Sequence, residues 1–428
     1  MKFMAIPLIL ILILSTLIAC GGGDDEDKTT MAQVTGEPTA GPEDTAEPTE
    51  TVTITIGSLT DKTGPAAQAM HYIDVALADV VNYYNDNNLI PGVDLKLEEY
   101  DTQYDPGKVR AGYEWLKERG TDVVSSFLPI TPEIIKPLVE EDKIVMFTAN
   151  ADRELLYPPG FLFAFANLWE ETAYTQLKWI AENHWDYEAD GPAKIGGAGW
   201  NDGATNLMFD AAEEYADAHP DQFEWVGGHL TNFTFTWAPE IEALKDCDYI
   251  FIPTVLHTFV KEYAIAGYTR ATFLANESHT AFLGLISQSD LWDEVNGTLF
   301  IMAASWWGQG AEETFPMTGK LFSQYYPDED DVKSIKEAGR SYGASASYYM
   351  MCEIIKLAAE RVGPQHINSE AIYDAAQNYE YTLDNGLVYM NWSPTKRNGV
   401  NYCVISEADE ELKTLLTASD WLAIVQKP

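Results

Sequence analysis

The feature that most constrains the fold of this 428-residue chain is a regular alternation of β-rich runs with amphipathic stretches, which starts at residue 51. The first series predicts strands and helices in turn, at 51–59, 66–88, 94–102, 106–119, 122–127, 132–141 and 144–149. Strands and helices that alternate at this spacing form parallel sheets through right-handed crossovers. We therefore expect the first part of the chain to be a doubly wound α/β lobe.

A second alternating series occupies the middle of the chain. It predicts helices and strands at 170–183, 194–199, 204–218, 223–228, 238–244, 248–253, 257–266 and 272–275, then a strand at 297–305 and a long helix at 342–362. Residues 51–428 exceed the roughly 250–300 residues that one hydrophobic core normally serves, so two lobes are expected. Because open α/β sheets bind ligands at the carboxyl ends of their strands, the cleft between the lobes is the predicted functional site.

The N-terminus carries an apolar stretch at residues 5–19, preceded by Lys2. It is shorter than the about 20 apolar residues that a membrane-spanning helix needs, so it predicts an export signal. The stretch ends in LIAC at 17–20, which resembles the lipobox of bacterial lipoproteins. The resemblance implies cleavage before Cys20 and lipid attachment to its sulfur, and two or more acyl chains anchor a protein stably. An ordinary signal with a chance cysteine is the alternative.

Residues 20–50 differ sharply in composition from the rest of the chain. They are rich in Gly, Asp, Glu, Thr and Pro, and repeat EPT at 37–39 and 47–49. Such a segment buries too little apolar surface to offset its chain entropy. We interpret it as a disordered acidic tether, which would hold the folded part near the outer face of the membrane.

Charge and cysteine content exclude several classes of function. The chain has 26 Lys plus Arg against 67 Asp plus Glu, a net charge of −41, which argues against nucleic acid as a partner. Besides Cys20 it has Cys247, Cys352 and Cys403, an odd and widely spaced set with no CxxC motif. These positions exclude a disulfide framework, and the histidines form no HExxH motif, so no metal or other cofactor is expected.

Several short motifs, in order, are shared with one known family. TGPAAQ at 63–68 leads into a long predicted helix, IPGV stands at 90–93, and YDT at 100–102 ends the next strand. This opening resembles the type I periplasmic binding proteins of the branched-chain amino acid (leucine, isoleucine, valine) transport family. Further matches are NGT at 296–298, YGA at 342–344 and NGLV at 385–388, so the resemblance covers nearly all of the globular part.

The resemblance implies a solute receptor of an ABC importer rather than an enzyme. Two lobes, about 51–167 plus 302–382 and about 168–301 plus 383–428, would be joined by a three-segment hinge. They would close on a small molecule and present it to an ABC permease. The family's usual ligand is a branched-chain or other neutral amino acid, while amides, urea-like solutes and aromatic compounds are bound by relatives.

In that family, the loops after the third and fourth strands of the first lobe hold a ligand carboxylate through N–H groups and hydroxyls. These loops are 125–131 and 148–153 here, and their predicted ligand-binding residues are Ser125, Pro129, Thr131, Asn150, Ala151 and Asp152. Pro129 has no N–H or hydroxyl to donate. Asp152 stands where a hydroxyl is common, and its carboxylate repels an anion unless Arg153 or another cation offsets its charge.

The second lobe supplies aromatic and acidic candidates. The resemblance places Trp200 over the ligand and makes Glu277 the partner of a ligand ammonium. Trp306 is a predicted wall of the cleft, with Tyr104 and His257 as weaker candidates. Such a lining suits a small ligand with an amine or amide group and an apolar part.

Two other functions remain open from the sequence. The same fold permits a sensor that passes ligand-induced closure to a separate signalling protein. A tethered hydrolase is the second alternative, but the chain shows no GxSxG nucleophile motif and no carboxylate pair in a recognisable context.

Overall fold

A computed structural model describes residues 51–428, except the side chains of residues 312 and 313. The predicted export signal, Cys20 and the predicted tether lie outside this range. Within residues 51–428, no helix combines the length and apolar character needed to cross a membrane.

The first lobe is built around a parallel sheet with the strand order β2-β1-β3-β4-β5. Its elements are β1 (Val52–Thr60), α1 (Ala67–Asp86), β2 (Val93–Asp101), α2 (Pro106–Lys117), β3 (Thr121–Ser126), α3 (Ile130–Asp142), β4 (Val145–Thr148), α4 (Arg153–Leu156) and β5 (Leu162–Ala164). The predicted strands and helices of this region are all present, within two residues of their expected bounds. The prediction of a doubly wound sheet is confirmed.

The second lobe contains a larger sheet with the main order β14-β13-β10-β9-β8-β6-β7. Its first elements are α5 (Trp169–Asn183), α6 (Tyr187–Asp190), β6 (Ala193–Trp200), α7 (Gly203–Ala218), β7 (Phe223–Thr231), α8 (Ala238–Leu244), β8 (Tyr249–Phe251), α9 (His257–Ile265), β9 (Thr272–Asn276), α10 (Glu277–Thr280), α11 (Leu283–Gln288), α12 (Trp292–Val295) and β10 (Leu299–Met302). β6 to β10 are parallel to one another. The second lobe therefore repeats the architecture of the first.

The remaining elements return to the first lobe and then complete the second. They are α13 (Ala311–Thr314), α14 (Pro316–Tyr325), α15 (Glu329–Ala338), α16 (Ser345–Val362), α17 (Ser369–Ala376), β11 (Glu380–Thr382), β12 (Val388–Asn391), β13 (Tyr402–Asp409), β14 (Thr414–Thr417) and β15 (Leu422–Ala423). The predicted helix at 342–362 starts only at Ser345, because a 3₁₀ turn, Ser341–Ala344, precedes it. β13 pairs antiparallel with β10, β14 and β15.

Both faces of the first sheet are covered by helices, as a parallel sheet requires. Leu77 and Val80 of α1 pack with Ile354 and Ile355 of α16 in one core, and α2 and α3 cover the opposite face. β1 is buried along its last seven residues for this reason. The apolar character of VTITIGSLT thus reflects burial on two faces.

The chain passes between the lobes three times: between β5 and α5, between β10 and α13, and between β12 and β13. Tyr389 and Met390 of β12 are buried in the core of the first lobe. The third passage therefore comes after β12, whereas the sequence placed it at 382–383. The short strands β11 and β12 carry little hydrophobic periodicity, so this boundary had no clear sequence signal.

Arg397 fixes the third passage to the first lobe. Its side chain is fully buried, and Nε donates to the Gly160 carbonyl at 2.8 Å. Nη2 donates to the Tyr373 hydroxyl at 2.9 Å, and Nη1 donates to the Ser393 carbonyl. The guanidinium also lies 4.4 Å from the centroid of the Phe163 ring. A buried charge is thus satisfied by carbonyl dipoles and an aromatic face.

We expect Arg397→Met to lower the free energy of unfolding by about 3 kcal/mol, because buried carbonyls lose their donors while the apolar stem is kept. Chemical denaturation measures this. Lys333→Met, on α15 where the side chain is 69% exposed, is the control and should change stability by less than about 0.5 kcal/mol. Equal effects of the two substitutions would contradict the role given to Arg397.

Candidate functional site

The carboxyl ends of the two parallel sheets approach each other closely. Gly203 follows β6 of the second lobe, and a side-chain carbon at this position would lie 3.2 Å from Glu133 Oε1 and 3.5 Å from Asp152 Oδ2. Glu133 and Asp152 belong to the first lobe, where they follow β3 and β4. Glycine therefore permits this approach, and the cleft lies where α/β sheets bind ligands.

Acidic side chains from both lobes line this approach. Asp202 caps α7 by accepting from the Thr205 N–H at 2.8 Å. Burial raises the pKa of Glu133, and the carboxylates of Asp152 and Asp202 raise it further. Burial likewise raises the pKa of Asp152, with a contribution from Asp202. We call Glu133, Asp152 and Asp202 the acidic rim.

Tyr104 joins the cleft from the first lobe with a strained backbone. It has a φ of 54° and follows Gln103, with a φ of 55°, between β2 and α2. Left-handed backbone at consecutive non-glycine residues is uncommon and is concentrated at functional sites. Burial raises the pKa of Tyr104 to about 12, and the carboxylates of Asp202, on the second lobe, and Glu133 raise it further. The weaker candidate from the sequence thus lies at the cleft.

An exposed aromatic cluster stands beside the acidic rim on the second lobe. The ring of Trp200, at the end of β6, lies 5.1 Å from Phe233 and 5.4 Å from Phe235. Its indole N–H donates to the Thr234 carbonyl at 2.8 Å, which fixes the ring. Phe233 and Phe235 are 52% and 49% exposed. We call Trp200, Phe233 and Phe235 the aromatic platform.

The two phenylalanines of the platform were missed by the sequence analysis. They lie in the polar run TNFTFTW at 231–237, and a pair of large aromatic residues between hydroxyl side chains in a loop is a signal of exposure. Phe233 also has a left-handed φ of 50°. Only the structure brings this loop against Trp200.

The predicted residues of the first loop occupy different environments. Ser125 and Thr131 are fully buried within the first lobe, and the Thr131 hydroxyl accepts from the Ser126 hydroxyl at 2.9 Å. Pro129 is exposed and precedes α3. Of these three residues, Pro129 is the one at the surface.

The second predicted loop places one carboxylate in the acidic rim. Asn150 is half-buried, Ala151 is buried, and Asp152 faces Gly203. Arg153 was considered as a cation that offsets the charge of Asp152. Its Nε instead donates to Glu170 Oε1 at 2.8 Å, so its positive charge is paired with Glu170.

Glu277 lies at the junction of the second lobe with the second passage. Its Oε1 is 3.3 Å from Nε of the buried Arg340, and Oε2 accepts from the Ala303 N–H at 2.9 Å. Arg340 also donates to the Ala304 carbonyl at 2.8 Å. Both oxygens of the predicted ammonium partner therefore have protein partners, although 45% of the side chain is exposed.

Trp306 and His257 complete the predicted set. Trp306 is buried in a core of the second lobe, with its ring 6.3 Å from that of Trp307. His257 begins α9 and is half-buried, and burial lowers its pKa. Trp200, Tyr104 and Asp152 are therefore the predicted residues that the structure brings to the cleft.

The described residues hold no set of three or more His, Cys, Asp or Glu side chains arranged for a metal ion. Cys247, Cys352 and Cys403 are buried and unpaired. Burial raises the pKa of Cys247 to about 12, so its thiol stays protonated near neutral pH.

A family model described as periplasmic binding protein matches residues 53–410. The match spans most of the chain, and the chain belongs to this family. Membership makes it an extracytoplasmic ligand-binding protein with the type I fold. No curated protein matches the chain.

Solved structures with the same fold share little sequence with the chain. A branched chain amino acid ABC transporter protein of Thermus thermophilus with bound valine is 18% identical, with a TM-score of 0.72, over 87% of this chain and 97% of that one. A leucine binding protein of Thermotoga maritima is 12% identical, with a TM-score of 0.67, over 88% and 99%. A solute binding protein of Rhodopseudomonas palustris in complex with 3,4-dihydroxybenzoic acid is 14% identical, with a TM-score of 0.67, over 88% and 99%.

We expect Glu277→Gln to lower the free energy of unfolding by about 1 kcal/mol, because the buried Arg340 loses its carboxylate while solvent screens the half-exposed partner. Thermal and chemical denaturation measure this. Asp290→Asn breaks the exposed pair with Lys413 and is the matched control, with little expected change. No loss of stability in Glu277→Gln would show that the pair does not hold the second passage.

Proposed function

We propose that the protein is the solute-binding component of an ABC importer, which captures a small solute between its lobes and delivers it to a membrane permease. The observation that carries this proposal is the close approach of Gly203, at the carboxyl end of one sheet, to Glu133 and Asp152 at the carboxyl end of the other. The family, and the similarity to transporter proteins from three bacteria, support it.

Closure of the lobes is the proposed mechanism. A solute that touches both lobes binds the closed form more tightly than the open form, and this difference in affinity shifts the equilibrium. The closed form would present a surface composed of both lobes to the permease. The Glu277–Arg340 pair holds the second passage, and the buried Arg397 holds the third through hydrogen bonds. Bending is expected in the residues of the passages that these contacts do not hold.

The proposed solute carries an amine or amide group and an apolar part. A branched-chain or other neutral amino acid, or an amide, meets this description. The aromatic platform offers apolar surface, and the acidic rim accepts hydrogen bonds from N–H donors. Trp200, Asp152 and Tyr104 are proposed to contact the solute, while the two oxygens of Glu277 already have partners in the protein.

We also propose that the protein is a lipoprotein, anchored through Cys20 on the outer face of a membrane. The LIAC motif at 17–20 and the acidic, Gly- and Pro-rich composition of 20–50 support this. An anchored receptor stays near its permease.

Cys20→Ser is expected to release the protein from the membrane fraction, because no thiol remains for lipid attachment. Fractionation of cells that express the full chain measures this, and Cys247→Ser is the control that should leave the distribution unchanged. Retention of the Cys20→Ser protein on membranes would contradict lipid anchoring.

A thermal-shift screen of amino acids, amides and polyols tests solute binding. One chemical class is expected to raise the melting temperature by several degrees, since a ligand that binds only the folded state stabilises it by mass action. Small-angle X-ray scattering should show a more compact particle with the same compounds. Stabilisation without compaction would contradict closure, and a flat response across the panel would contradict the solute-binding role.

A further inference from the structure

The aromatic platform places exposed apolar rings side by side on the second lobe. Phe233 and Phe235 are each about half exposed, beside the fixed ring of Trp200. Exposed apolar patches of this kind mark surfaces that bind something. Phe233 also keeps a left-handed backbone, a conformation that persists where the surroundings hold it for function.

Aromatic faces attract cations as well as apolar groups. The π-electron face of Trp is the best partner for an ammonium group, followed by Tyr and Phe, and recognition of alkylated ammonium ligands uses several such rings. The platform contributes three rings from one lobe. The rings of the platform are therefore able to bind a cation.

The acidic rim continues directly from the platform. Asp202 is two residues beyond Trp200, and its N–H donates to the Trp200 carbonyl at 2.9 Å. Glu133 and Asp152 face the same turn from the first lobe, because a side-chain carbon placed at Gly203 would lie 3.2 and 3.5 Å from their carboxylate oxygens. Closure thus brings carboxylates of both lobes together beside exposed rings, and a positive charge between them would relieve their repulsion.

Cations near these carboxylates have other partners: Lys136, one turn beyond Glu133, lies 3.5 Å from Glu140 Oε1. Arg153 pairs with Glu170, and Arg340 pairs with Glu277. The charges that shift the pKa values of Glu133 and Asp152 are all negative. A ligand carboxylate placed here would face three carboxylates, and Pro129 offers it no N–H.

We infer that the solute of this cleft is an organic cation with an apolar body and without a carboxylate, held by the aromatic platform and the acidic rim. This rests on the proposed function, because it names the class of solute for the same cleft: it narrows the amine- or amide-bearing class given there to amines, and leaves out amino acids and amides. It also separates this chain from its valine-bound structural neighbour, whose ligand is a zwitterion.

Two series of probes, each with one apolar body, test the inference. Isobutylamine, valine and isovalerate share a branched body, and phenethylamine, phenylalanine and hydrocinnamate share a phenyl body. In each series the amine is a cation, the amino acid a zwitterion and the acid an anion. Isothermal titration calorimetry should show the amine binding at least tenfold more tightly than the amino acid, with no binding of the acid. An amino acid or acid that binds as tightly as the amine overturns the inference, as does a failure of both amines to bind at millimolar concentration.

Two variants locate the binding. Asp202→Asn keeps a good helix cap, because Asn is as favourable as Asp at that position. It should lower the affinity for the amine at least tenfold and leave the melting temperature unchanged. Glu213→Gln, exposed further along α7, is the matched control and should leave the affinity unchanged. Phe235→Leu keeps an apolar side chain but removes a ring, and it should lower the affinity for the amine several-fold. Unchanged affinity in Asp202→Asn and Phe235→Leu overturns the inference.

The two proposals fail in different ways. If valine, isovalerate or a neutral solute compacts the protein in scattering while the amines do not, the cation class is wrong and the solute-binding role stands. If none of the six probes and no compound of the broader panel stabilises or compacts the protein, both are wrong.

Discussion

Parallel pairing of the strands is the constraint on which the rest of the structure depends. It places the carboxyl ends of β1 to β5 at one edge of the first sheet and those of β6 to β10 at one edge of the second. Helices must then cover both faces, so loops at these edges are the surfaces left for recognition. The close approach at Gly203 turns the two edges into a single cleft.

Buried charges hold two of the passages between the lobes, and one of their partners, Glu277, is a ligand contact predicted from the sequence. Glu277 secures Arg340 and the Ala303 amide beside the second passage, and Arg397 secures the third passage inside the first lobe. Removing the partners of a buried guanidinium is costly, because its charge stays desolvated. The acidic rim is the charged surface that the cleft offers a solute. Closure brings its carboxylates together, which is unfavourable unless a cation or a hydrogen-bond donor enters.

The sequence predicted the site less well than the fold, for reasons that lie in side-chain direction. Ser125 and Thr131 stand at the correct end of the sheet but are buried in the first lobe, and Trp306 is buried in a core of the second. Position along a strand indicates the edge of the sheet, whereas the direction of each side chain depends on register and packing. Phe233 and Phe235 were missed because a loop carries no periodicity that would reveal its contact with Trp200.

The sequence by itself determined the alternation of strands and helices and the division into two α/β lobes, and it predicted a site at the carboxyl ends of the strands. These depend on hydrophobic periodicity and turn residues, which act over a few neighbouring positions. The tertiary structure alone decided which carboxylates face the cleft, which cations are already paired, and where the third passage falls. Each of these depends on contacts between residues far apart in the chain, as when Arg340 meets Glu277 and Gly203 meets Glu133. Local sequence patterns do not indicate which residues far apart in the chain come into contact.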